Sequence, residues 1–315
     1  MHFLEGGYPV WAAKQNILRT CDFGSVLVLG DSRPEAAIVP SRLGLPAANI
    51  ASGAATPIEN YFFARRAVSC PSAPRYVIYS QSLSSFVSAN QFLWKNAARY
   101  GFIAFRDLRD IARAAAEQHD PAFGGTDTHD GLSGIARDLV YSSGFPSIFT
   151  ASLVKARGFG RYDANIALFE HTSVTRGAVT YTDTPIRTDV GIDAQVSSFV
   201  PSPVQAYYFD KALDLFAAAG VRVLYVAIPV SESTVRAMKP KVAADFSQFL
   251  AQHTKKFSNL VVANPTTAAW PDDLFVDGSH MNERGAAILS ERLAPCLSQW
   301  EKSPDRPVPC DLAWR

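Results

Sequence analysis

Two short segments near opposite ends of this chain carry the residue types that nucleophilic catalysis needs. Gly30-Asp31-Ser32 directly follows Ser25-Val-Leu-Val-Leu29, whose length and residue types predict a buried strand. A glycine there permits a tight turn, and a helix starting behind the serine would point backbone N–H groups at it. Asp277-Gly278-Ser279-His280 precedes the last helical pattern and is followed by Asn282 and Gly285. An aspartate three residues before a histidine can orient the imidazole and stabilise its charged form, and that imidazole can take a proton from a nearby serine. Each motif alone is better read as structure, the first as an ordinary loop and the second as a cap on the final helix. Together, in this order and at the two ends of one α/β unit, they favour catalysis.

The elements that must position these motifs follow from the apolar patterns. Tyr76–Tyr79, Val223–Ile228 and Leu260–Ala263 read as further buried strands, with Asn49–Ala51 as a very short fifth. Between them, Gln205–Ala219 is a helix with Gly220 as its C′ residue, and Lys241–Phe257 is amphipathic. Arg284–Leu293 is a helix closed by Pro295. Strands alternating with helices predict an α/β fold with a parallel sheet and helices on both faces. Residues 105–200 break the alternation. Asp107–Gln118 and parts of Leu132–Lys155 read as helical, and Ile166–His171 with Ala178–Tyr181 as a hairpin. This stretch is expected to be an insertion capping the carboxyl edge of the sheet, where α/β folds place ligands, with a separately folding domain as the alternative. The whole of 1–315 is otherwise expected to be one domain, with an irregular tail over 300–315.

On Gly30-Asp31-Ser32, on Asp277-Gly-Ser-His280 with Asn282 and Gly285, and on Gly53 at the end of Asn49-Ile-Ala-Ser-Gly53, the chain resembles the SGNH (GDSL-type) hydrolases. The resemblance spans about Asp22–Ala104 and Gln205–Leu297. It implies a flavodoxin-like, three-layer α/β/α fold with strand order 2-1-3-4-5. It also implies Ser32 as nucleophile, His280 as general base, Asp277 as its orienter, and the backbone N–H groups of Ser32 and Gly53 in an oxyanion hole. The family's third motif, Gly-x-Asn-Asp, is replaced here by Ser80-Gln81-Ser82-Leu83. Ser82 stands about where the family's oxyanion-binding asparagine would, with Gln81 as a neighbouring donor. Relaxed third motifs resemble the members that accompany bacterial exopolysaccharide O-acetylation, cellulose among the candidates. That resemblance implies an acetylesterase or O-acetyltransferase acting on carbohydrate, with exopolysaccharide-synthesis machinery as a partner. The alternative is a non-catalytic polysaccharide-binding or scaffold protein that keeps the fold. Tyr61-Phe-Phe63, Phe92-Leu-Trp94 and Tyr207-Tyr-Phe209 would suit a sugar-stacking groove, or the core. The chemistry calls for no cofactor and no metal.

The remaining features bound the answer. With 30 basic and 29 acidic residues in 315, no strong long-range field steers the chain to nucleic acid. The tight basic pair Lys255–Lys256 reads as the solvated end of a helix. At 48% hydrophobic and 19% charged, the chain can bury a large core, and disorder is excluded. No apolar run reaches the roughly 20 residues of a membrane helix. Met1–Lys14 is too short and polar for a signal peptide, so the expectation is either a cytoplasmic protein or an exported one lacking its leader. His119-Asp120 and Asp127-Thr-His129-Asp130 could ligate a metal, but read more simply as a polar loop. His171 receives no role. Arg33 could meet an anionic acyl group, or pair with Glu35 or Glu59. In the fold that the resemblance implies, Cys21 and Cys70 both fall at the amino edge of the sheet, and Cys296 and Cys310 bracket the tail. Two such disulfides would point to a periplasmic or secreted protein, and four free thiols to the cytoplasm.

Overall fold

The computed structural model describes residues 6–87, 97, 100–120, 158–182, 190–264, 267–302, 310 and 312–314. Its centre is an all-parallel sheet built from β1 (Val26–Gly30), β2 (Ala47–Asn49), β3 (Tyr76–Ser80), β4 (Arg222–Val226) and β6 (Leu260–Asn264). Their order is β2-β1-β3-β4-β6. This differs slightly from the expected order because Val230–Ser231 forms an uncounted strand, β5, which pairs in parallel with β7 (Ala269–Trp270) outside the main sheet.

The strands are apolar on both faces because helices cover both. Leu27, Leu29, Val77, Tyr79, Val223 and Tyr225 enter one core, shared with Trp11, Phe62, Tyr208 and Phe246. The alternate residues Val26, Val28, Ile78, Leu224 and Val226 enter the other, shared with Leu289, Leu293, Leu297 and Trp300. This is the period-two alternation of a strand buried on both sides. The helices are α1 (Tyr8–Thr20), α2 (Ser32–Ala37), α3 (Pro57–Val68), α4 (Leu83–Val87), α5 (Phe105–Glu117), α6 (Gly158–Val174), α7 (Pro203–Ala218), α8 (Glu232–Ala237), α9 (Pro240–Lys256) and α10 (Glu283–Lys302).

Several expectations are corrected. Ile166–His171 is not a strand but part of α6. The run Ile166-Ala-Leu-Phe169 is too short for periodicity to tell strand from helix. The Thr172 and Ser173 hydroxyls donate back to the Leu168 and Phe169 carbonyls, as helical spacing allows. Of Ala178–Tyr181, only Tyr181 pairs, in an isolated parallel bridge to Asn282. Helix α10 does not stop at Pro295 but runs through it to Lys302. Proline removes one hydrogen bond at a cost of about 3 kcal/mol, offset here by the buried Leu293, Leu297 and Trp300 along one face. Helix α1 was not foreseen; it buries Trp11, Ile17, Leu18 and, unexpectedly, Lys14. Helix α5 packs into the main core through Leu108, Ile111 and Ala114. The stretches Phe92–Trp94, Leu132–Lys155 and Asp127–Asp130 lie outside the described residues.

Both cysteine pairs are bonded, Cys21–Cys70 with Cα atoms 5.7 Å apart and Cys296–Cys310 with Cα atoms 5.8 Å apart. No helix among the described residues is long and apolar enough to cross a membrane.

Helix α3 starts with a capping box, in which Glu59 accepts from both the N–H and the hydroxyl of Thr56. Glu59 is fully buried with its other carboxylate oxygen unpartnered, and burial pushes its carboxyl up to about 7 against those two hydrogen bonds. The folded chain thus holds a proton that the unfolded chain releases near the ordinary value of 4.5. Stability is therefore expected to fall as pH rises from about 4.5 to about 7 and to level off above that. Urea unfolding of wild type and Glu59→Gln across this range should show the variant losing this slope.

Candidate active site

The strand register brings the chemistry to one edge. Gly30 lies directly beside Ser80 at the carboxyl ends of β1 and β3, so the residues that follow each strand meet. Gly30 has φ +147°, and a Cβ placed on it would lie 1.8 Å from the Ser80 carbonyl oxygen. Only glycine fits this turn. Asp31 then caps α2, its Oδ1 accepting from the Arg33 N–H at 3.0 Å. Its Oδ2 accepts from the Ser82 N–H at 2.8 Å. One carboxylate therefore ties the turn that leads into Ser32 to the loop after β3.

Ser32 is the first residue of α2, and its Oγ lies 2.7 Å from His280 Nε2. His280 Nδ1 lies 2.7 Å from Asp277 Oδ2. Asp277 Oδ1 accepts from the N–H groups of Ser279 and His280 at 2.7 and 2.8 Å. Burial alone would push the Asp277 carboxyl up, but the His280 hydrogen bond and charge, with the two backbone N–H groups, pull it down to about 2. An ionised carboxylate only accepts, so Nδ1 donates to Asp277, and in the neutral form of the ring Nε2 is the nitrogen that accepts from Ser32. The His280 side chain is 24% exposed, enough for a substrate to reach it.

The other expected residues divide. Ser52 donates its N–H to the Gly30 carbonyl at 3.1 Å, which holds Gly53 beside the turn that leads into Ser32. Among the described residues no protein acceptor takes the N–H of Ser32 or of Gly53. Gln81 points elsewhere: its carboxamide donates to the Ala55 carbonyl at 2.6 Å and to Asp31 at 3.4 Å, and accepts from Asn60 at 2.8 Å. Ser82 spends its N–H on Asp31, and its hydroxyl shares hydrogen bonds with those of Ser84 and Ser85. The loop after β3 is thus an internal brace. Asn282 and Gly285 serve the start of α10, the Asn282 side chain accepting from the Gly285 N–H at 3.0 Å and donating to the Asp273 carbonyl at 2.9 Å. Arg33 pairs with neither Glu35 nor Glu59 but with Asp193 at 2.5 Å, both buried. The partner comes from the insertion, beyond the reach of local spacing. Asp120 accepts from the Ser202 hydroxyl and the Val204 N–H, bracing the start of α7. Phe62, Phe63, Tyr208 and Phe209 are core.

Four residues were not legible beforehand. Tyr181 sets its ring edgewise on His280, centroids 5.6 Å apart, and remains 38% exposed. Thr234 donates its hydroxyl to the Gly278 carbonyl at 2.7 Å and accepts from the Gly191 N–H at 2.9 Å, joining insertion and histidine loop. Asn60 accepts from the Gly30 N–H at 3.0 Å. Lys14, fully buried in α1, ion-pairs with Glu35 in α2 and donates to the Ala51 carbonyl, two residues before Gly53. Burial pushes its ammonium down, opposed by Glu35.

No protein-family model matches the chain, and no curated protein matches it either.

Removing Lys14 would leave Glu35 without its buried partner. Lys14→Met is therefore expected to cost about 3–5 kcal/mol in chemical denaturation, and Lys14→Met with Glu35→Leu markedly less than that. An equal or larger loss in the double variant would mean that Lys14 acts through packing alone.

Proposed function

We propose that this protein is an SGNH-type, serine-dependent acyl-transfer enzyme acting as an acetylesterase or O-acetyltransferase on carbohydrate. The observation that carries the reading is the unbroken relay from Ser32 Oγ through His280 to Asp277, with both steps at 2.7 Å. His280 Nε2 takes the Ser32 proton as Oγ bonds to the ester carbonyl carbon. The charge that develops on the carbonyl oxygen is met by the free N–H groups of Ser32 and Gly53. Collapse of the intermediate breaks the ester C–O bond, and the leaving alkoxide receives the proton from His280. Water or a sugar hydroxyl then attacks the acyl-enzyme, with His280 again as base. Asp277 stays ionised throughout and holds the tautomer.

With Gln81 and Ser82 committed to the brace, this oxyanion hole works without a side-chain amide. One such donor is worth about 2.7–4 kcal/mol, so turnover of simple esters is expected to be slow. The exposed Tyr181 ring beside His280 suits an acceptor sugar face. The two disulfides support an oxidising compartment such as the periplasm. The inward commitment of Gln81 favours a second reading, a polysaccharide-binding protein that keeps the fold without the chemistry.

Intact-protein mass spectrometry after incubation with 4-nitrophenyl acetate separates the two readings. Wild type should gain one acetyl group, Ser32→Ala none, and Asp277→Asn should acylate more slowly by a factor on the order of 10⁴. An equal adduct on Ser32→Ala, or sugar binding with no adduct on wild type, would favour the second reading.

A further inference from the structure

The near-neutral charge of the chain hides a local concentration that only the fold assembles. A cleft of about 650 Å³ is lined by Arg19, Arg65, Arg66 and Arg106, with Asp107 as the one carboxylate among its lining residues. The arginines come from α1, α3 and α5, so the adjacent pair Arg65–Arg66 is all of the cluster that the sequence shows. The cleft is remote from Ser32. Arg19, Arg65 and Arg66 sit at the carboxyl ends of α1 and α3, and in a parallel α/β fold these ends face the amino edge of the sheet. Ser32 lies at the carboxyl edge.

Asp107 is shared between two of the four guanidiniums, Arg65 at 2.7 Å and Arg106 at 3.8 Å. Arg66 donates to the Gly101 carbonyl at 2.6 Å and Arg19 to the Asn16 side chain at 2.8 Å, both neutral acceptors. Each guanidinium has five N–H donors, so among the described residues these bonds leave several unspent. The cations also press on each other. Burial pushes the Arg66 guanidinium down, Asp107 opposes this, and the charges of Arg65 and Arg106 push it down further. The site is braced covalently, since the Cys21–Cys70 bond joins the ends of the two helices that carry three of its arginines. Its size lies within the range of small-molecule pockets.

We propose that this cleft binds a compact oxyanion bearing two or more negative charges, of phosphate or carboxylate type, at a site separate from the serine. Three formal charges in excess of Asp107 and the forked guanidinium donors match such a group in charge and in geometry. The proposal does not depend on acyl transfer.

Titration calorimetry of the disulfide-intact protein at low ionic strength, with pyrophosphate and with citrate as probes, tests it. Wild type should bind at least one of them, more weakly as salt is added, and the tighter probe identifies the type of anion. Arg66→Gln combined with Arg106→Gln should weaken binding by about tenfold or more. Arg106→Glu alone, at a side chain 85% exposed, should weaken it without disturbing the fold, as its thermal unfolding would show. Ser32→Ala should leave it unchanged. Failure of both probes to bind wild type, or equal affinity in the folded arginine variants, would overturn the proposal.

Discussion

A helix of six residues has too few internal hydrogen bonds to hold its own position, and Ser32 stands at the front of one. Everything that places Ser32 must therefore come from outside α2. Asp31 caps it, Asn49 donates its side-chain amide to the Pro34 and Ile38 carbonyls at 2.8 Å each, and two buried ion pairs grip it. Lys14–Glu35 reaches in from α1, and Arg33–Asp193 from the insertion. Buried ion pairs add little net stability, because desolvation consumes most of the attraction. Their directional contacts instead restrict where α2 can sit, and so where Oγ can point.

The histidine loop is held by the same logic from the opposite end of the chain. Thr234 and the 3-10 segment that begins after Gly191 press against Gly278 and Ser279, so closely that a Cβ on Gly191 would lie 2.3 Å from the Ser279 hydroxyl. That segment also carries Asp193. A single stretch of the insertion thus touches both halves of the site, one through an ion pair and the other through backbone contact. The serine and histidine it helps to align are 248 residues apart in sequence.

What could be read in advance was whatever is local. The apolar strands, the glycine turn into Ser32 and the Asp277–His280 spacing each state their role within a few residues, and the five main-sheet strands lie within a few residues of where the patterns put them. Lys14, Asp193, Thr234 and Tyr181 were opaque because their partners are distant in sequence and nothing in their own neighbourhood marks them. Ile166–Phe169 misled because a four-residue apolar run satisfies strand and helix equally. Gln81 looked available as a donor because the sequence does not reveal that Asn60, Ala55 and Asp31 would surround it.

The Cys21–Cys70 bond encloses a loop with a sequence separation of 49 residues, and inside it lie β1, Ser32, β2 and Gly53. Ser32 and Gly53 thus belong to one covalently closed segment, whereas His280 lies more than 200 residues beyond it. Synthesis proceeds from the amino end, so this segment emerges from the ribosome long before His280 exists. Any polypeptide interrupted before Asp277 lacks both side chains to which the Ser32 hydroxyl is linked in the folded chain. Only a chain synthesised past His280 can form that contact.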